Sequence, residues 1–262
     1  MFERIMVGTD GSETARLAVA HAAELASALG AELVVATAHG TGRTGRPTAQ
    51  GGDDAEAAIA RALLRDAVHA HGTAVSMRTI AVAGPPAQAL VDLSARERID
   101  LVVVGNRGMG RAAWAPLSSV PDRVSHRSAV SVLIVDTVHA RPPGYGRILV
   151  GTDGSASSQR AVATAVGLAA RIGAQLAAAA AAPDEATGSG AVAAIRARWP
   201  DVETIVAIGP PAAALCKLAE SGRYDLLVVG NRGIGGPRRL LGSVPDRVVH
   251  QARTSVLVVA TA

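Results

Sequence analysis

Short runs of Val, Ile, Leu and Ala alternate along the chain with longer stretches whose apolar positions recur every three or four residues. The first kind of run reads as a strand and the second as an amphipathic helix. In the first half the pattern predicts strands near 3–9, 32–38, 74–80, 101–104 and 130–135, with helices near 13–29, 54–70, 86–97 and 120–127. In the second half it predicts strands near 147–152, 175–182, 203–208, 226–229 and 255–260, with helices near 156–172, 190–198, 211–221 and 244–251. Apolar strands separated by helices imply a parallel sheet covered on both faces.

The pattern is written twice. Ile5-Met6-Val7-Gly8-Thr9-Asp10-Gly11-Ser12 returns as Ile148-Leu149-Val150-Gly151-Thr152-Asp153-Gly154-Ser155, an offset of 143. Gly84-Pro85-Pro86-Ala87 returns from Gly209, and Val104-Gly105-Asn106-Arg107-Gly108 returns from Val229, both at an offset of 125. The 18 residues between these offsets map to the Gly-, Thr- and Pro-rich stretch around Gly40 to Asp54, which reads as an exposed loop. By Ser119-Val120-Pro121-Asp122-Arg123 and its copy from Ser243 the offset is 124, one residue shorter again. The expected fold is α/β, two repeated Rossmann-like domains, each a five-stranded, mostly parallel sheet flanked by helices. The expected domains are residues 1–138 and 147–262, joined by a linker at 139–146 that contains Arg141-Pro142-Pro143-Gly144-Tyr145-Gly146.

Composition narrows the function classes. Apolar residues are 49% of the 262, enough for a core in each half, while aromatics are 2%, which leaves few stacking platforms for unpaired bases. Residues 1–140 carry 13 Lys and Arg against 14 Asp and Glu, and residues 141–262 carry 13 against 8, so the net +4 belongs to the second half. Without a zinc ligand set, a homeodomain-like helix or an aromatic RNA-reading motif, that basicity points to small phosphates before nucleic acid. The single cysteine, Cys216, excludes an internal disulfide and reads as a small buried hydrophobe. The chain opens directly into a strand, and no apolar stretch is long enough to span a bilayer, so no membrane partner and a cytoplasmic location are expected.

Two repeated features carry the candidate chemistry. Asp10-Gly11-Ser12 and Asp153-Gly154-Ser155 end the first strand of each half. There the glycine permits a tight turn, the serine caps the next helix, and the aspartate accepts bonds from a ribose, an amine or a metal-bound water. The second feature is glycine-rich: Gly105, Arg107, Gly108 and Gly110 followed by Ser118 and Ser119, and in the other half Gly230, Arg232, Gly233 and Gly235 followed by Gly242 and Ser243. Glycines after an apolar strand expose backbone N–H groups to a phosphate, and the arginines neutralise it. Neither a Walker A element nor the dinucleotide fingerprint is present. Ser12, His21, His39 and Asp10 are chemically able to serve a hydrolase, but no Gly-x-Ser-x-Gly elbow or matching repeated histidine supports one. No catalytic residue is assigned. His39, His69 and His71 read as loop and helix-end residues and not as metal ligands, and the recurring His126 and His250 read equally as packing or surface residues.

These motifs, Val-Gly-Thr-Asp-Gly-Ser twice and Val-Gly-Asn-Arg-Gly twice, resemble those of a tandem-domain universal stress protein over essentially the whole chain. ATP-binding members carry Gly-x-x-Gly, nine residues, then Gly-Ser or Gly-Thr, with an Asp at the end of the first strand. Gly105 and Gly108 match with nine residues before Ser118-Ser119, where Ser118 replaces a glycine; Gly230 and Gly233 match with only eight before Gly242-Ser243. The resemblance implies ATP, with Mg²⁺ as a companion, held by a stress-response sensor or regulatory module without efficient turnover. It also implies pairing of the two domains through the terminal strands, Val130 to Val135 and Ser255 to Ala260, with further dimerisation of the chain an open alternative. A nucleotide-free structural or interaction protein with degenerate loops is the other function class.

Overall fold

The computed structural model describes residues 1–39, 58, 62, 76–106, 120–139, 142–231 and 243–261. The chain divides into two compact units, Phe2–Pro143 and Gly144–Ala262.

In the first unit the elements run β1 (Arg4–Gly8), α1 (Glu13–Leu29), β2 (Glu32–His39), β3 (Met77–Ala83), α2 (Pro86–Arg96), β4 (Leu101–Gly105), α3 (Val120–Arg127) and β5 (Ser131–Val135). Its strands lie in the order β3-β2-β1-β4-β5 and every neighbouring pair is parallel. The second unit runs β6 (Arg147–Thr152), α4 (Ala156–Ile172), β7 (Gln175–Ala182), α5 (Glu185–Arg198), β8 (Glu203–Ile208), α6 (Pro211–Ser221), β9 (Leu226–Gly230), α7 (Ser243–Gln251) and β10 (Ser255–Val259). Its order, β8-β7-β6-β9-β10, repeats the first with every neighbouring pair parallel. Both units are therefore five-stranded α/β sheets with helices between the strands.

Parallel pairing with crossover helices explains why the central strands are apolar throughout. Ile5, Met6 and Val7 of β1 and Leu101 and Val102 of β4 are fully buried, as are Leu149, Val150, Leu227 and Val228 in the second unit. The Ala-rich β7 is a strand despite alanine's poor strand preference, because β6 and β8 pair it on both sides and its small side chains are almost wholly buried. At the other end of the first sheet, Glu32 joins Arg4 (2.8 Å) and Arg78 (3.1 Å), and Arg78 reaches Glu97 (2.8 Å).

Two expected elements and one residue differ. β3 lies at 77–83 and not 74–80, its register set by pairing from Leu33↔Met77 to His39↔Ala83. α5 begins at Glu185 and not near 190, because Asp184 caps it by accepting the Thr187 N–H at 2.8 Å. Gly188, ahead of the expected helix start, is buried within that helix, and a Cβ there would lie 2.3 Å from Val206 Cγ1. His39 is the last residue of β2 and not a loop residue. The helix expected at 54–70 lies outside the described residues apart from helical positions 58 and 62, and so do His69 and His71. Among the described residues no helix is long and apolar enough to cross a membrane.

Candidate functional site

In each unit the strand order reverses around the first strand: β1 lies between β2 and β4, and β6 between β7 and β9. Doubly wound sheets bind ligands at this switch point, beyond the carboxyl ends of the strands. The chain leaves β1 through Thr9, Asp10 and Gly11. Gly11 has φ 78° and Gly154 has φ 79°, a left-handed conformation that only glycine adopts without strain. Ser12 then caps α1, accepting the Ala15 N–H at 3.1 Å, and Ser155 caps α4 by accepting the Ser158 N–H at 3.2 Å.

Each aspartate anchors its own turn. Asp10 Oδ1 accepts the Ser12 N–H (3.0 Å) and the Ser12 hydroxyl (2.6 Å). Asp153 Oδ1 accepts the Ser155 N–H at 3.0 Å. Partial desolvation pushes the Asp153 carboxyl up, but hydrogen bonds from Ser155 and Ser158 outweigh it and hold the group below the usual carboxylate range. The second turn is richer in hydroxyls: Ser155 Oγ lies 3.1 Å from Ser157 Oγ, and Thr152 Oγ1 lies 3.1 Å from Ser158 Oγ. Its helix has no acidic residue in the first turn, whereas α1 opens with Glu13.

Beside these turns, Gly105 ends β4 and Gly230 ends β9. Parallel pairing of β1 with β4 and of β6 with β9 brings the exits of the glycine-rich segments next to the aspartate turns. Of the expected site residues, Asp10, Gly105, Asp153 and Gly230 are thus gathered at the switch points. Arg107, Gly108, Gly110, Ser118, Ser119, Arg232, Gly233, Gly235 and Gly242 lie outside the described residues, and Ser243 is described only as the first residue of α7.

Sequence reasoning missed the residues that tie these exits down. Asn106 follows Gly105, and its Oδ1 accepts the N–H (3.0 Å) and hydroxyl (2.7 Å) of Thr137, which follows β5. Asn231 does the same with Thr261, at 3.1 and 2.5 Å. In the first unit Asn106 Nδ2 also donates to Asp136, at 3.1 Å, and Asp136 Oδ2 lies 2.6 Å from His139 Nδ1. The recurrence of Asn and Thr at matching places in both halves is the signal that was available. His126 and His250 each donate from Nδ1 to the carbonyl four residues earlier, at 2.9 and 2.7 Å.

The universal stress protein family model matches residues 1–136, 144–195 and 177–260, which span both units. The chain belongs to the universal stress protein family. Among relatives, it is 36% identical over 143 residues to universal stress protein Rv1636 of Mycobacterium tuberculosis, covering 52% of this chain and 97% of that protein. It is 31% identical over 207 residues to Rv2005c of the same organism, covering 70% of this chain and 69% of that protein. A universal stress protein structure from Archaeoglobus fulgidus superposes with a TM-score of 0.80 at 21% identity, covering 99% of this chain and 96% of that one, a likeness of fold. A universal stress protein solved in complex with cAMP is 34% identical, with a TM-score of 0.44, over 52% of this chain and 98% of that one.

Proposed function

We propose that this universal stress protein is a nucleotide-binding regulatory or sensor module that takes ATP, with Mg²⁺, at the switch point of one or both units and turns it over slowly if at all. The observation that carries this reading is the duplicated aspartate turn. In both units a carboxylate, a glycine in left-handed conformation and a serine-capped helix N-terminus stand beside the strand end from which a glycine-rich segment departs. Such a donor and acceptor set suits a phosphate ester with a ribose: helix-end N–H groups favour the anion, and the aspartate accepts sugar hydroxyls. With one carboxylate in each turn, a Mg²⁺ ion would be held mainly by phosphates and water, as this hard cation prefers.

Denaturing the purified protein and identifying any released small molecule, followed by titration of the stripped protein with ATP and Mg²⁺, tests the reading. cAMP, the ligand of one family member, belongs in the same titration. Saturable binding that Asp10→Ala or Asp153→Ala weakens by at least about tenfold supports it and assigns the unit. No released nucleotide and no saturation at millimolar concentration sinks it. Steady phosphate release measured on the same variants decides turnover.

A second reading, a nucleotide-free interaction protein, is favoured by one observation: Asp10 Oδ1 already accepts both donors of Ser12, as a purely structural turn would have it. Pairing of the domains through their terminal strands, further dimerisation and cytoplasmic residence belong to the proposal as well, and light scattering and cell fractionation check the last two.

A further inference from the structure

We propose that Asn106 is a positioning residue for the ligand site of the first unit: with Thr137 and Asp136 it fixes the direction in which the chain leaves β4, and it does so more stringently than Asn231 in the second unit. This deepens the nucleotide reading and rests on it.

The backbone is held first: the Asn106 N–H donates to Val135 O at 2.9 Å, and the Asn231 N–H to Val259 O at 2.9 Å. The side chain then adds a constraint that differs between the units. In the first, two donors of Thr137 face Oδ1 and an acceptor-only carboxylate, Asp136, faces Nδ2, so only one orientation of the amide satisfies both sides. Asp136 is itself buried and fixed, accepting the Val138 N–H at 3.0 Å and meeting His139 at 2.6 Å. In the second unit Thr261 supplies the same two donors, but the repeat places Ala260 where Asp136 stands. Alanine has no side-chain acceptor that could fix the amide as Asp136 does. A strand exit clamped from both sides is already ordered when a ligand arrives, which lowers the entropic cost of binding.

The two asparagines should therefore respond differently to one substitution. Asn106→Asp places a carboxylate oxygen against Asp136 at hydrogen-bond distance, which repels, whereas Asn231→Asp has Ala260 at the position matching Asp136 and keeps its bonds from Thr261. In ligand-free protein, Asn106→Asp is expected to speed amide hydrogen exchange at Thr137 by about tenfold or more, while Asn231→Asp leaves Thr261 within about threefold of the parent. Adding Asp136→Ala to Asn106→Asp reproduces the pairing that Asn231→Asp has with Ala260 and should return Thr137 toward parental protection, which separates the effect from general misfolding. For the ligand, ATP and Mg²⁺ are titrated into chains carrying Asp153→Ala, so that the first unit is read alone. Asn106→Asp should weaken binding about tenfold, and Asp136→Ala should restore it. Equal exchange responses at the two asparagines overturn the proposal. So does an exchange effect with unchanged ATP affinity, which would make Asn106 a brace of the fold alone. If the parent binds neither ATP nor cAMP, the nucleotide reading fails while the exchange contrast still decides whether the exit of β4 is clamped.

Discussion

Asp136 shows how much one carboxylate can organise at the end of a strand. Burial pushes its pKa up, but the His139 ring and the Val138 N–H stabilise the charged form and bring the group below its ordinary range. A depressed folded-state pKa contributes stability that is fully present above the unfolded value of about 4 and is lost as pH falls through the folded value. Asp136→Asn is therefore expected to cost about 1–3 kcal/mol at neutral pH, because bonds to a charged acceptor are exchanged for bonds to a neutral one. Denaturant titrations of parent and variant check this: the gap present at neutral pH should close as pH drops below about 3. A gap that persists in acid would show that shape, and not charge, is what Asp136 supplies. Cys216 has the opposite environment. Burial alone pushes its thiol up to about 11, so at neutral pH it behaves as the small hydrophobe its neighbours Leu215 and Leu218 suggest. Alkylation of the native protein should be slow, and fast once it is unfolded.

At the level of elements, local chemistry that stays within a few residues was readable in the sequence. The aspartate turns, the glycines of left-handed conformation and the serine caps of α1 and α4 all depend on neighbours no more than four positions away, and the repeat shows them twice. What depends on a partner strand was not readable. The Asn106 bonds join residues about thirty apart, and no periodicity announces them. The start of α5 was hidden for a related reason: Gly188 breaks the helical pattern in sequence, yet it is there because Val206 of β8 leaves no room for a side chain. Gly188→Ala should destabilise the second unit by about 1–3 kcal/mol through overpacking. Gly190, in the same helix with nothing within 4 Å of an added Cβ, should instead gain about 0.5–1 kcal/mol on replacement by Ala. Equilibrium unfolding of the two variants gives opposite signs if helix and strand approach as closely as described; a common sign would contradict that packing.

Across the whole molecule, the two units share a topology but not an electrostatic setting. Residues 1–140 are one charge negative and residues 141–262 five positive, and the difference reaches the switch point itself. α1 opens with Glu13, whereas Ala156 holds the matching place in α4, followed by Ser157 and Ser158. A carboxylate in the first turn neutralises the positive end of the helix dipole and competes with an incoming phosphate, while hydroxyls offer donors without repulsion. If polyphosphates bind, the second unit should hold them more tightly, and the ranking should follow this one position. Ala156→Glu is expected to weaken ATP binding at the second unit by about two- to fivefold, and Glu13→Ala to strengthen it at the first by a similar factor. Both effects should shrink as salt is raised from low ionic strength to about 0.5 M, because the interaction acts at an exposed helix end. Calorimetric titration of the two variants at two salt concentrations checks this. cAMP, which carries a single negative charge, should show a smaller contrast than ATP. A contrast as large for cAMP would mean that Glu13 acts by shape or by contact with the sugar, and the ordering of the two sites by charge would then be wrong.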